Sequence, residues 1–266
     1  LAVPPSSLAS EPQFLSRADG ERIAYFRTPG RAPGVVFLTG YASDMTGQKA
    51  TMLEAFCRAR GTAFVRFDYL GHGASSGAFT DGTIGRWTDD AIAVLDALTE
   101  GPQVLVGSSL GGWIMVRTAL ARRARVAALV GIASAPDFTE DVIQPLLSPA
   151  DRQLLETAGM IQLASPYDPE PTPVTKRIME DGRNHLVLRA EIPLDCPVRL
   201  IHGLADPDVP WRTSVRLMER LRSADVELVL VKGAGHRMSE PAELDRLKAT
   251  VAAVLDRLPA GTAPRP

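Results

Sequence analysis

Gly107-Ser108-Ser109-Leu110-Gly111 is the segment of this chain best equipped for chemistry. A serine with glycine two residues before and two after suits a nucleophile on a sharp strand-to-helix turn. The reason is steric: at so tight a turn the flanking Cβ atoms would clash, and glycine has none. The apolar run Val104-Leu105-Val106 precedes the segment, and a helical stretch over Leu110–Ala121 follows it. Ser109 would then project its Oγ from the top of a sheet, beside a helix N-terminus with free N–H groups and a positive dipole end. The competing reading is an ordinary strand–helix turn with a capping serine.

A serine hydroxyl is a weak nucleophile and needs a base, most often histidine. The chain has four histidines: His72, His185, His202 and His236. With a serine on this kind of elbow the chain order is serine, acid, histidine, which removes His72. His202 ends a strand directly before Gly203 and leaves little room for an acid ahead of it. His185 falls within a long insertion. His236 follows Lys232-Gly233-Ala234-Gly235, just past the apolar run Val226–Val231, where a glycine-rich turn lets the ring reach back over the sheet edge. It is the expected base. The acid should follow the preceding strand, at 198–201. Asp206 and Asp208 both qualify. Asp206 is favoured because it stands at the first turn, and Asp208 is read as a cap for a helix starting near Pro210. Acyl transfer also needs donors aimed at the developing oxyanion. The N–H of Leu110 is one, and the N–H of Tyr41, in Thr39-Gly40-Tyr41-Ala42-Ser43, is the other.

The elements that must position these groups are legible as a rhythm. Apolar runs at 23–26, 35–38, 63–67, 104–106, 128–132, 198–201 and 226–231 alternate with helical patterns at 47–60, 83–98, 110–121, 211–222 and 240–258. Runs apolar on both faces are what a buried parallel strand requires, so the expected fold is α/β, a mostly parallel sheet with helices on both faces. Met52, Leu53, Phe56 and Cys57 fall on one face of the first helix. Ile84, Trp87, Ala91, Val94 and Leu95 share a face of the second, with Asp81 as its expected cap. Trp113 is read as packing. The stretch 136–195 breaks the rhythm: no strand is expected there, and helical fragments alternate with Pro-rich turns such as the one around Pro166 and Pro171. It is read as a helical lid. The expected organisation is a core of 14–135 and 196–258, a lid of 136–195, and loosely ordered ends at 1–13 and 259–266.

Composition narrows the classes. The 266 residues are 45% hydrophobic and 23% charged, with a formal net charge of −2. A chain of this length buries a core without a metal or disulfide staple. The charge gives no electrostatic case for nucleic acid, and no run of about 18 apolar residues suits a membrane span. Two cysteines, Cys57 and Cys196, make no disulfide framework. No motif with metal-ligand spacing is present. Gly71-His72-Gly73-Ala74-Ser75-Ser76-Gly77 lacks both the Lys-Ser/Thr ending and the third glycine of a phosphate loop, and reads as a tight turn beside the site. Residues 1–12 show no secretory pattern, and arginine far outnumbers lysine, so a cytoplasmic bacterial protein is expected, with the mitochondrial matrix as the alternative for a processed eukaryotic chain. Nothing in the sequence forces a dimer.

The set Gly107, Ser109, Gly111, Asp206 and His236 resembles the α/β-hydrolase fold over nearly the whole chain. Arg66-Phe67-Asp68-Tyr69, Val106-Gly107-Ser108-Ser109-Leu110-Gly111-Gly112-Trp113, His202-Gly203 with Val209-Pro210-Trp211, and His236-Arg237-Met238 resemble one branch more narrowly, over roughly 34–255. That branch is the mitochondrial α/β-hydrolase-domain thioesterases, which remove palmitoyl groups from protein cysteines and hydrolyse acyl glucuronides. The resemblance implies Ser109, Asp206 and His236 as a triad and S-deacylation or carboxyl-ester hydrolysis as the chemistry, with a small-molecule or lipidated acyl substrate. It is poorest across 136–190. No cofactor is needed. A serine nucleophile argues against epoxide or haloalkane chemistry, which in this fold resembles aspartate catalysis. The alternatives are a small-molecule sensor on the same fold, and a C–C hydrolase or perhydrolase using the same three residues.

Overall fold

The computed structural model describes residues 11–164 and 170–259. Among the described residues ten strands run in chain order: β1 Gln13–Ser16, β2 Arg22–Thr28, β3 Arg31–Leu38, β4 Thr62–Phe67, β5 Gln103–Ser108, β6 Val126–Ile132, β7 Met160–Leu163, β8 Thr172–Thr175, β9 Val198–Gly203 and β10 Val226–Val231. The helices are α1 Gln48–Arg60, α2 Ile84–Leu98, α3 Leu110–Ala121, α4 Gln144–Leu146, α5 Pro149–Ala158, α6 Lys176–Arg183, α7 Arg212–Arg220 and α8 Pro241–Arg257. Eight strands form one sheet in the order β1-β2-β4-β3-β5-β6-β9-β10. The β1–β2 and β2–β4 pairs are antiparallel, and the rest are parallel.

The continuous apolar runs become central strands because each strand buries both faces. Val36 and Leu38 of β3 share a core with Trp87 of α2 and Ile114 of α3. Their neighbours Val35 and Phe37 share the opposite core with Leu53 and Cys57 of α1 and Val251 of α8. Side chains alternate across a strand, so an unbroken apolar run feeds two layers at once. Trp87 and Trp113 are fully buried, as expected of packing residues, and truncating either to alanine costs about 3–5 kcal/mol. Cys57 is likewise a core residue, with burial pushing its thiol up to about 12.

Two local expectations are corrected. Asp81 does not cap α2: it closes a short 3-10 turn and pairs with Arg177 at 3.2 Å. Thr83 caps instead, its hydroxyl accepting from the Arg86 N–H at 3.1 Å, because the side chain must stand immediately before the first helical residue. Gln13, placed with the loose N-terminal end, already belongs to β1. The rest of that end and the C-terminal one fall almost wholly outside the described residues.

The stretch 136–195 is not free of strands. Met160–Leu163 and Thr172–Thr175 pair antiparallel as a two-stranded ribbon, with Met160 opposite Thr175. Four residues apiece, with only Ile161 and Val174 fully buried, give too little alternation to announce a strand. Residues 165–169, which include the Pro166 turn, lie outside the described residues. Around the ribbon stand a π-helical turn at Thr139–Ile143 and the helices α4, α5 and α6. Phe138, Ile143, Leu155, Val174 and Ile178 belong to the same buried cluster as Trp87 and Trp113, so the insertion continues the core. Its two roots are clasped together. Asp137, at φ 59°, accepts from the Val187 and Leu188 N–H groups at 2.7 and 2.9 Å.

Because β3, β5, β9 and β10 are parallel, the loops leaving them emerge at one edge of the sheet. Those four loops carry Tyr41, Ser109, Asp206 and His236 in turn. Open α/β sheets bind ligands at this carboxyl edge.

Candidate active site

Ser109 has φ 55° and ψ −118°, a backbone state that L-residues avoid. Such strain costs on the order of 1–3 kcal/mol and persists only where the surroundings impose it. They do so here by hydrogen bonds and by contact. The Ser109 N–H donates to Ile132 O at 2.9 Å, and its carbonyl accepts from Gly112 and Ala135. A Cβ on Gly107 would stand 2.4 Å from Gly111 O, and one on Gly111 would stand 2.1 Å from Leu38 O. The two glycines are therefore required by backbone packed directly against backbone.

Ser109, His236 and Asp206, picked from separate loops, meet in one hydrogen-bonded chain. Ser109 Oγ lies 2.9 Å from His236 Nε2, and His236 Nδ1 lies 2.8 Å from Asp206 Oδ2. Asp206 can only accept when ionised, so Nδ1 carries the ring proton and Nε2 is left to accept from the serine. Burial pushes the Asp206 carboxyl up, but hydrogen bonds from His202 and His236 push harder the other way and hold it well below the ordinary carboxylate range. Its second oxygen accepts from the Asp208 and Val209 N–H groups, both at 2.9 Å.

Asp208 thus contributes a backbone amide to Asp206. Nor does it cap α7, which starts at Arg212 without a side-chain cap. Asp206, Asp208 and His236 do bring ligand-type atoms within 4.8 Å of one another, a grouping the sequence did not suggest. Both Asp206 oxygens are already engaged by two rings and two amides. The residue that sequence reasoning passed over is His202. It is fully buried, with Nε2 3.0 Å from Asp206 Oδ2. The spacing His202-Gly203 ahead of Asp206 was visible, but its meaning depended on how the loop folds back.

The loop after β3 supplies the remaining parts. Gly40 packs so that a Cβ there would lie 3.5 Å from the Ser109 Cβ, and Ala42 turns at φ 51°. The Tyr41 and Leu110 N–H groups have no acceptor among the described residues. The Tyr41 ring packs edge-on against Phe79 and Trp87, and its hydroxyl donates to Pro173 O of the insertion at 2.6 Å. Burial pushes that phenol well above its usual range. His72 stands behind, among Tyr69, Phe79 and Trp87, pushed down to about 4 by burial. His185, in the insertion, pairs with Asp181 at 3.3 Å. Neither joins the chain at Ser109.

A cleft of about 470 Å³ opens at Ser109 and His236, walled by Tyr41, Ser43, Lys49 and Thr172 among others. Lys49 donates to Arg237 O and to Ser239 Oγ, tying the loop after His236 to α1. Burial, helped by the charge of Arg237 and opposed by Glu243, pushes its ammonium down to about 8. Below the loop, Asp68 accepts from the Met45 and Ala74 amides. Burial raises its carboxyl to about 6 against those bonds.

The comparisons with known proteins agree with this architecture. Residues 35–249 match the model of the alpha/beta hydrolase family. The palmitoyl-protein thioesterase ABHD10, mitochondrial, of Bos taurus is 42% identical over 246 residues, 92% of this chain and 80% of that protein. Alpha/beta hydrolase domain-containing protein 10 from mouse superposes with a TM-score of 0.87 at 40% identity, covering 94% of this chain and all of that one. A hydrolase-like protein from Agrobacterium vitis S4 superposes at 0.88 with 41% identity, over 92% and 98% of the two chains.

Proposed function

This chain belongs to the alpha/beta hydrolase family, and from that premise we propose that it is a serine hydrolase cleaving acyl thioesters or carboxylic esters through Ser109, His236 and Asp206. The observation that carries the reading is the unbroken chain from Ser109 Oγ through His236 to Asp206, at 2.9 and 2.8 Å. Ser109 Oγ attacks the acyl carbonyl while His236 Nε2 takes its proton. Asp206 holds the ring in the required tautomer and stabilises the imidazolium. The Tyr41 and Leu110 N–H groups receive the oxyanion, each worth about 2.7–4 kcal/mol in the transition state. His236 then protonates the leaving thiol or alcohol, the carbon–sulfur or carbon–oxygen bond breaks, and an acyl-serine remains. Water, deprotonated by His236, hydrolyses that ester and returns Ser109.

We infer an acyl group carried on sulfur as the preferred substrate, a reading supported by relatives named palmitoyl-protein thioesterases. The insertion at 136–195 serves as the cap, since Thr172 walls the cleft and Pro173 holds Tyr41. Among the described residues no helix is long and apolar enough to cross a membrane. The curated relatives carry the word mitochondrial in their names, which favours that setting over the cytoplasm expected from composition.

A fluorophosphonate probe read by intact mass tests the assignment. Wild type should gain one label and Ser109→Ala none, with thioester hydrolysis falling by about 10⁴–10⁶. Turnover by Ser109→Ala within tenfold of wild type would overturn it. Parallel assays on acetyl and palmitoyl thioesters then size the acyl pocket.

A further inference from the structure

Two histidines reach the same oxygen of Asp206. His236 Nδ1 approaches Oδ2 from the cleft, and His202 Nε2 approaches it at 3.0 Å from the core. His202 sits in β9 with no exposed surface. Its Nε2 also faces Val209 O at 3.0 Å, and its Nδ1 faces Ser214 Oγ of α7 at 2.7 Å. A carboxylate and a carbonyl can only accept, so the Nε2 side of the ring must donate. A serine hydroxyl can donate, so it satisfies a bare Nδ1. Of the two neutral tautomers, only the one with hydrogen on Nε2 pairs every polar atom of this ring. The opposite tautomer would aim a lone pair at Oδ2 and leave Val209 O unmatched.

We propose that His202 is a positioning residue for the Asp206–His236 pair, fixing the Asp206 rotamer and sharing the charge of the oxygen that faces His236. This rests on the reading of Ser109, Asp206 and His236 given above. Two physical consequences follow. Without His202 the carboxylate keeps its two amide bonds on Oδ1 but loses its rear support on Oδ2, so the geometry at His236 loosens. The same oxygen also carries more charge toward His236, which favours the protonated, inactive form of the base. The other charged groups nearest His236 are Asp206 and Asp208 on the acid loop, Arg237 beside it, and Lys49 of α1, which holds Arg237 O. Of these, substitution at 202 removes a contact only from Asp206.

The test compares His202→Leu, which removes the donor, with His202→Gln, which offers an amide N–H near the position of Nε2. His202→Leu should lower kcat by about 10- to 100-fold at little change in KM. The acid limb of kcat/KM should move up by roughly one pH unit. His202→Gln should recover most of the rate and return the limb toward wild type. Equal losses in both variants with an unmoved limb would reduce His202 to packing and overturn the proposal, as would a folded His202→Leu enzyme with wild-type kcat. If His202→Leu does not fold, nitrogen-15 histidine spectra of wild type and Asp206→Asn, both with His202 in place, decide. Asp206→Asn should shift the ring signals of both His236 and His202, and a response from His236 alone would overturn the proposal. Probe labelling of wild type at Ser109, lost in Ser109→Ala, separates failure of this inference from failure of the underlying assignment.

Discussion

At the end of β5 the chain sets Ser109 by shape. Ser109 is forced to φ 55° by backbone packed against backbone, and the glycines at 107 and 111 are what that packing admits. At the end of β9 it sets Asp206 by hydrogen bonds. Asp206 lies in an ordinary loop and is held by two imidazoles and two amides. Steric control writes itself into a short sequence motif, because only one residue type fits. Hydrogen-bond control draws on partners many residues away and leaves little local trace. It also makes the acid loop the more sensitive to protonation, and the elbow the more sensitive to an added methyl.

Substitutions in the two loops separate steric from hydrogen-bond control. The largest effect is expected at the acid: Asp206→Asn should cost about 10⁴ in kcat with the fold intact, since an amide misdirects the His236 tautomer. Asp208→Asn should stay within a fewfold, because it offers Asp206 only a backbone N–H; the reverse ranking in steady-state assays would transfer the role to Asp208. At the elbow, Gly111→Ala should lower both activity and stability, by about 1–3 kcal/mol in urea melts, because its Cβ would stand 2.1 Å from Leu38 O. Gly235→Ala, with nothing within 4 Å of the added Cβ, should be nearly silent. A stable, active Gly111→Ala enzyme would mean that shape is not what holds Ser109.

Two buried carboxylates should titrate in opposite senses. Asp68 is raised to about 6, so between about pH 4 and 6 the folded state holds a proton that the unfolded state has released, and its contribution to stability falls as pH rises through that window. The span corresponds to roughly 2–3 kcal/mol. Asp206 is depressed, so its contribution is present above about pH 4 and is lost as the solution becomes more acidic. His72, pushed down to about 4, makes stability rise with pH over the same window, so urea melts from pH 3.5 to 7 should show a steeper rise in Asp68→Asn than in wild type; an unchanged slope would place its origin elsewhere. The smallest effect is expected from Tyr41→Phe. It keeps the backbone N–H and loses one hydrogen bond to Pro173 O, worth about 0.5–1.5 kcal/mol. A kcat drop beyond tenfold would show that the insertion governs the oxyanion loop.

The central strands, the helices α1, α2, α3 and α8, and the chain Ser109–Asp206–His236 were legible without coordinates. Their determinants are local: two-sided apolar runs, helical spacing, and glycines at a turn too tight for Cβ. The choice between Asp206 and Asp208 was legible only as a preference. Two residues apart on one loop, they differ in which carboxylate the turn delivers to His236, and only coordinates state that.

The layer order and the tight turn at Ser109 follow from sterics and side-chain period within a few residues, so the chain's own sequence carries them. What the tertiary structure decided is everything set by partners distant in the chain. The ribbon of β7 and β8 forms because Ile161 and Val174 find the shared core, not because eight residues prefer to be strands. The Thr83 cap prevails over Asp81 by where the helix begins. His202 becomes a partner of Asp206 only when the loop after β9 folds back over the ring and α7 brings Ser214 to its far side. A hydrogen bond needs its two atoms within about 3 Å, and spacing along the chain does not reveal which distant atoms will come that close.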